Sequence, residues 1–221
     1  DMCEELIRIK IPGTFISQIG LFELWRSLKT ITTWLKFLSN SQENFPLLYS
    51  LSEGVEVDDA ILKNCRTILS EDGEILDNAS DELYVIRVSI RRKQLEVEKR
   101  IRKLLNHSKQ QGWTPTDAEL TIRNGRPVIP ITSANKRRLQ GFVHDESSTG
   151  QTSYIEPAEV VELNNELREL EFAQAREIVR ILTHFTETLR PFIDTLLLAY
   201  KFLIRIDFIA AKAKYAYKIK A

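Results

Sequence analysis

The chain has 221 residues, with 31 Lys and Arg against 31 Asp and Glu, so it is formally neutral and no global field points to a partner. A hydrophobic share of 43% with 28% charged residues excludes a disordered chain, which needs low hydrophobicity and high net charge. Eight Gly and seven Pro are few for an all-β chain of this length, one that allows one or two domains, so helix is expected to dominate.

From Ser17 onward, Leu21, Trp25, Leu28, Ile31, Leu35 and Leu38 recur every three or four residues and mark an amphipathic helix. Asn40 to Asn44 is a polar break. Asp58 or Asp59 is placed to cap a shorter helix that carries Ala60, Ile61, Leu62, Ile68 and Leu69, and Ser70-Glu71-Asp72-Gly73 closes it. Residues 1–80 therefore read as a helical core part.

Between Asp81 and Gln111, Leu83, Ile86, Ile90, Gln94, Val97, Ile101 and Leu104 follow a near-heptad stripe, about 45 Å long at about 1.5 Å per residue. Beyond Pro157, a favourable residue for a first helical turn, Val160, Leu163, Leu167, Leu170, Gln174, Ile178, Ile181, Phe185 and Leu189 repeat that pattern up to Pro191. Two such stripes are expected to pack antiparallel. Gln94 and Gln174 each interrupt one stripe, either as facing register markers or as tolerated polar gaps. Residues 81–111 carry nine basic and four acidic side chains, and residues 156–177 two basic and seven acidic, so the two helices complement each other.

The segment between the helices changes character. Leu120 and Ile122 alternate with polar neighbours before Asn124-Gly125, the strongest two-residue hairpin signal, and Val128 and Ile131 follow it. Pro127 and Pro130 cannot donate to a ladder and point to an edge strand. A second hairpin is expected from Phe142-Val143 and Tyr154-Ile155 around Ser147-Ser148-Thr149-Gly150. A final helix, 191–221, returns to the core. The expected fold is mainly α: a helical core bundle and a long antiparallel helical hairpin (81–111 and 158–190) that carries a small β-rich tip, 112–157.

The tip concentrates basic residues. Arg123, Arg126, Lys136, Arg137 and Arg138 occur with no acid between Thr121 and Gln140, a pattern suited to phosphate contacts or to a solvated loop. Catalytic chemistry is sparse. His144, Asp145 and Ser147 sit on one strand, whose neighbours point to opposite faces, so they do not form a triad. His107, His144 and His184 have no metal-ligand spacing, and no Gly is followed by Lys, so a phosphate-cradling GxxxxGK[ST] loop is absent. Cys3 and Cys65 form no CxxC and fit a reducing, cytoplasmic compartment. The richest apolar stretch, PFIDTLLLAYKFLIRIDFIAA, is broken by Asp194, Lys201, Arg205 and Asp207, which excludes a membrane-spanning helix. The ends of the chain, Asp1 and a helical pattern running to Ala221, read as cut from a longer protein.

Four collinear strings, DGEILDNASDEL (72–83), TIRNGRPVIPI (121–131), GFVHDESSTGQTSYIEPAEVVELNNELRELE (141–171) and RIDFIAAKAKYA (205–216), resemble the part of the bacterial MutS-II family that precedes its ATPase. The resemblance spans roughly residues 70–221 and implies a core, a lever and a DNA-binding clamp. It implies a role in DNA repair and recombination, a homodimer in the full-length protein, and branched or duplex DNA, or ribosomal RNA on stalled ribosomes, as partner. ATP and Mg belong to an ATPase domain that this sequence does not contain, so no cofactor and no enzymatic activity are expected of this chain, while the full-length relative is expected to be an ATPase and in some cases an endonuclease. A structural homodimerisation module is the alternative. The Phe-x-Glu wedge of mismatch-reading relatives has one counterpart, Phe185-Thr186-Glu187, but Phe185 lies on the apolar stripe and is expected to pack.

Overall fold

The computed structural model describes residues 2–220. The fold is mainly α, with a small four-stranded antiparallel sheet. The chain divides into two compact units, residues 1–81 with 177–221 and residues 82–176.

The first unit begins with α1 (Met2–Arg8), α2 (Gln18–Asn40), α3 (Pro46–Tyr49) and α4 (Asp59–Ile68). The start of α2 is fixed by Ser17, whose hydroxyl accepts from the Gly20 amide at 3.0 Å, and that of α4 by Asp58, which accepts from the Ala60 amide at 2.7 Å. Along α2 the predicted stripe is buried at Leu21, Leu28, Ile31 and Leu38, facing α4 and the last helix, while its members Trp25 and Leu35 are only half-buried and Leu24, outside the predicted stripe, is fully buried. After α4 the chain doubles back through a Leu69–Ile75 bridge, where Gly73 holds φ +83 and a Cβ would stand 2.8 Å from the Phe22 ring. Only glycine satisfies both demands there.

The helix α5 (Asp81–Gln110) lies in the second unit from Glu82 onward. It is followed by β1 (Thr121–Arg123), β2 (Arg126–Thr132), β3 (Gly141–Glu146) and β4 (Thr152–Pro157), and then by α6 (Ala158–Leu189), inside which the division between the units falls at Arg176/Glu177. The first unit is completed by the last turns of α6 and by α7 (Ile193–Ile219), which buries Ile193, Leu196, Ala199, Phe202 and Ile206. There Phe185 is buried, and the Thr186 hydroxyl accepts from the Ile16 amide at 2.9 Å, so this Phe-x-Glu string is packing, not a wedge.

Within the second unit α5 and the first half of α6 run antiparallel. Arg87 reaches Gln174 at 3.3 Å, Lys93 reaches Glu166 at 2.6 Å and Arg100 reaches Glu159 at 2.6 Å, so partners descend α6 as they ascend α5. Gln174 thus meets Arg87, and the two glutamines do not face each other; Gln94 is exposed. Leu83, Ile90, Val97, Ile101 and Leu105 form the buried stripe of α5.

The sheet order is β1-β2-β4-β3, so the proline-bearing β2 is internal and not the expected edge. Its two halves explain this. Residues 126–128 pair with β1 and residues 129–132 pair with β4, which leaves each half one open side. A proline is tolerated where its missing donor would have pointed to that side. Ile129, Ile131 and Ile155 project from one face onto Ile101, Leu105 and Val160, and each fully buried Ile contributes about 2 kcal/mol. No helix among the described residues is long and apolar enough to cross a membrane.

Candidate nucleic-acid interface

Two hairpins and the segment between them place the five predicted cations. The first hairpin turns at Asn124 (φ 51) and Gly125 (φ 72), a pair of left-handed residues that matches strand twist, and it sets Arg123 against Arg126 in register. The segment 133–138 begins as one turn of 3₁₀ helix and is tied down on two sides. The Ser133 amide donates to Gln151 O at 2.9 Å, and the Asn135 amide group donates to Thr132 Oγ1 at 3.0 Å and Gly112 O at 3.4 Å. The Ser133 hydroxyl also bonds Gly150 O. With its base fixed, the segment leaves Lys136, Arg137 and Arg138 exposed.

The five cations differ in what holds them. Arg126 is locked: its guanidinium donates to Glu156 Oε1 at 2.8 Å and to Asn165 Oδ1 at 2.7 Å, and the Glu156 side chain is only 2% exposed. Arg123 lies 4.2 Å above the Tyr154 ring and pairs with Asp145 Oδ2 at 3.1 Å, while Lys136 pairs with Glu146 Oε1 at 3.5 Å. Both of those carboxylates are half exposed. Arg137 and Arg138 have no side-chain hydrogen bond or ion pair among the described residues. The acids that meet three of the five lie downstream, on β3 and β4, which is why the basic run looks unopposed in sequence.

Sequence reasoning missed the hub of this region, Glu156. Its Oε1 accepts from Arg126 and from Asn164 Nδ2 at 2.6 Å, and its Oε2 lies 2.7 Å from His144 Nε2. A carboxylate only accepts, so Nε2 of His144 carries the proton. Burial raises the Glu156 pKa, but the bonds from Asn164, Arg126 and His144 outweigh it and hold the carboxyl below the usual carboxylate range. His144 reaches the hub because β3 has a bulge there: Val143 faces Ile155 and Asp145 faces Tyr154, leaving His144 as the extra residue. His144 and Asp145 therefore serve different partners, Glu156 and Arg123. The only sequence trace of the hub is a glutamate set in an otherwise apolar strand end, Tyr154-Ile155-Glu156-Pro157.

The chain is 34% identical over 224 residues to the Endonuclease MutS2 of Geobacillus sp. (strain WCH70), covering 100% of this chain and 28% of that protein. It is 36% identical over 227 residues to the Endonuclease MutS2 of Finegoldia magna, with 98% and 28% covered, and 34% identical over 225 residues to that of Pediococcus pentosaceus, with 100% and 28% covered. This sequence belongs to the MutS2 family. No family model matches it. The chain spans about 28% of the length of these curated relatives, which are named endonucleases.

None of the eight glycines of this MutS2-family chain precedes a lysine, and among the described residues no group of three His, Cys, Asp or Glu could hold a metal ion. Burial pushes the Cys65 thiol up to about 12, so it stays protonated and unreactive at neutral pH.

Proposed function

We propose that the second unit is the nucleic-acid-binding clamp of a MutS2-family protein and that α5 and α6 are its lever, relaying motion from an ATPase domain outside this sequence. The observation that carries the reading is the triplet Lys136-Arg137-Arg138: three exposed cations on a segment anchored at its base, two of them with no carboxylate partner among the described residues. Phosphates are the complementary ligand. Each neutralised phosphate releases counterions without reading a base, so binding should be weak, salt-dependent and indifferent to sequence. Arg126, tied to Glu156, supports the surface, and Arg123 joins the contact only by leaving Asp145.

The relatives are named endonucleases, which act on nucleic acid, and duplex or branched DNA is the proposed ligand. The test is a fluorescence anisotropy titration of labelled duplex and branched DNA with the chain and with its K136E/R137E/R138E variant. The variant is expected to lose at least tenfold in affinity at low salt, and unchanged binding across salt concentrations removes the assignment. Ribosomal RNA added as competitor decides which polyanion the surface prefers.

A further inference from the structure

The candidate surface carries its own anions. Asp145 and Glu146, consecutive at the end of β3, occupy Arg123 and Lys136. Both are preset for this. The Asp145 Oδ1 accepts from the Glu146 amide at 2.8 Å, which leaves Oδ2 for Arg123, and Glu146 Oε1 also accepts from Ser153 Oγ at 3.4 Å. All four side chains remain solvent-accessible, with Asp145 and Glu146 each 50% exposed. Exposed pairs of this kind hold weakly and open readily. The contrast is Arg126, whose carboxylate partner is buried and further bonded to His144 and Asn164, so that breaking it leaves an uncompensated interior charge.

We propose that Asp145 and Glu146 are internal competitors of the phosphate ligand, an autoinhibitory pair that keeps two of the four solvent-accessible cations neutralised until a polyanion displaces them. The inference rests on the phosphate-binding reading of the same surface. Arg137 and Arg138 make the first contact, and Arg123 and Lys136 then exchange carboxylate for phosphate. Each exchange leaves a bare carboxylate that takes up a counterion, so it cancels the release gained at the cation. Binding is held to the strength of about two phosphates although four cations line the surface.

The experiment is an anisotropy titration of a short labelled DNA duplex, over a range of salt concentrations, with the whole chain and three variants. D145N/E146Q keeps the shape and the Asp145-to-backbone bond but frees Arg123 and Lys136. It is expected to tighten binding roughly tenfold at low salt and to steepen the slope of log affinity against log salt from about −2 to about −4. The control D117N/E119Q removes two exposed acids of the same unit that pair with no cation among the described residues, and is expected to change affinity less than twofold. R137E/R138E reports on the underlying reading. If it abolishes binding while D145N/E146Q leaves affinity and slope unchanged, autoinhibition is wrong and the clamp stands. If the control tightens binding as much as D145N/E146Q, the effect is net charge and autoinhibition is again wrong. If no variant alters binding, both proposals fall. Circular dichroism of each variant confirms that the fold is retained.

Discussion

Gly141 shows how a single missing side chain shapes the site. It opens β3 opposite Pro157, and a Cβ at this position would lie 2.1 Å from the Glu156 carbonyl oxygen. That neighbour is backbone inside a sheet and cannot swing aside. Gly141→Ala is therefore expected to push β3 away from β4 and destabilise the second unit by about 1–3 kcal/mol, read as a lower urea midpoint. The same displacement loosens the His144–Glu156 bond, because both residues are held by that strand pair. A variant as stable as the parent means that β3 can slide without cost. By contrast Gly150, whose Cβ would meet nothing within 4 Å, is constrained only by its φ of +69. The two glycines of this hairpin thus serve different ends, one as a close approach and the other as a turn.

At the scale of elements, the complementary charge of α5 and α6 resolves into named cross-pairs, Lys93–Glu166 and Arg100–Glu159. The hydrogen bonds that Lys93 donates to Glu166 and Glu96 raise its pKa, which keeps it cationic throughout the physiological range. Exposed pairs are worth about 0–1 kcal/mol, so their role is to select the antiparallel register more than to stabilise it. A double-mutant cycle tests this. R100E and E159R alone should each lower the thermal midpoint by placing like charges together, and the R100E/E159R swap should recover most of the loss; a swap no better than the sum of its parts means the pair is incidental. This is also where reading from sequence succeeded and stopped. Helices, the cap at Asp58, the Asn124-Gly125 turn and the seams are written locally, in spacings of two to four residues, and they were legible. The sheet order was not, because β2 meets β4 across the intervening residues 133–151, and splitting β2 between two partners gave its prolines a place that a simple hairpin lacks. The candidate site was half legible: the basic run is plain in the sequence, but Asp145, Glu146 and Glu156, which pair with Arg123, Lys136 and Arg126, are brought in by pairings no local pattern records.

For the molecule as a whole, neutrality is expected to hide a dependence of stability on pH, because each unit contains a nearly buried carboxylate whose pKa is lowered. In the second unit it is Glu156; in the first it is Glu177, to which Arg180 Nε and Nη2 each donate at 2.7 Å and Ser80 Oγ at 2.5 Å. The Arg180 bond lowers the Glu177 pKa against the opposing effect of burial, and Ser80 adds to it. Glu5, bonded to Arg8, is lowered too. A carboxyl whose folded pKa lies below its unfolded value of about 4.3 leaves the unfolded chain holding more protons as pH falls. Its contribution is complete above that unfolded value and disappears as pH drops through the folded one. The urea midpoint should accordingly be flat from neutral pH down to about 5 and fall steeply below it. E156Q and E177Q should each lower stability at neutral pH, since the remaining partners lose a charge they were arranged to meet, and each should flatten the acid limb. Combined, they should leave only the residual slope from Glu5 and the exposed acids. An acid limb of undiminished steepness in the double variant would show that the two hubs are not what makes this fold sensitive to protons.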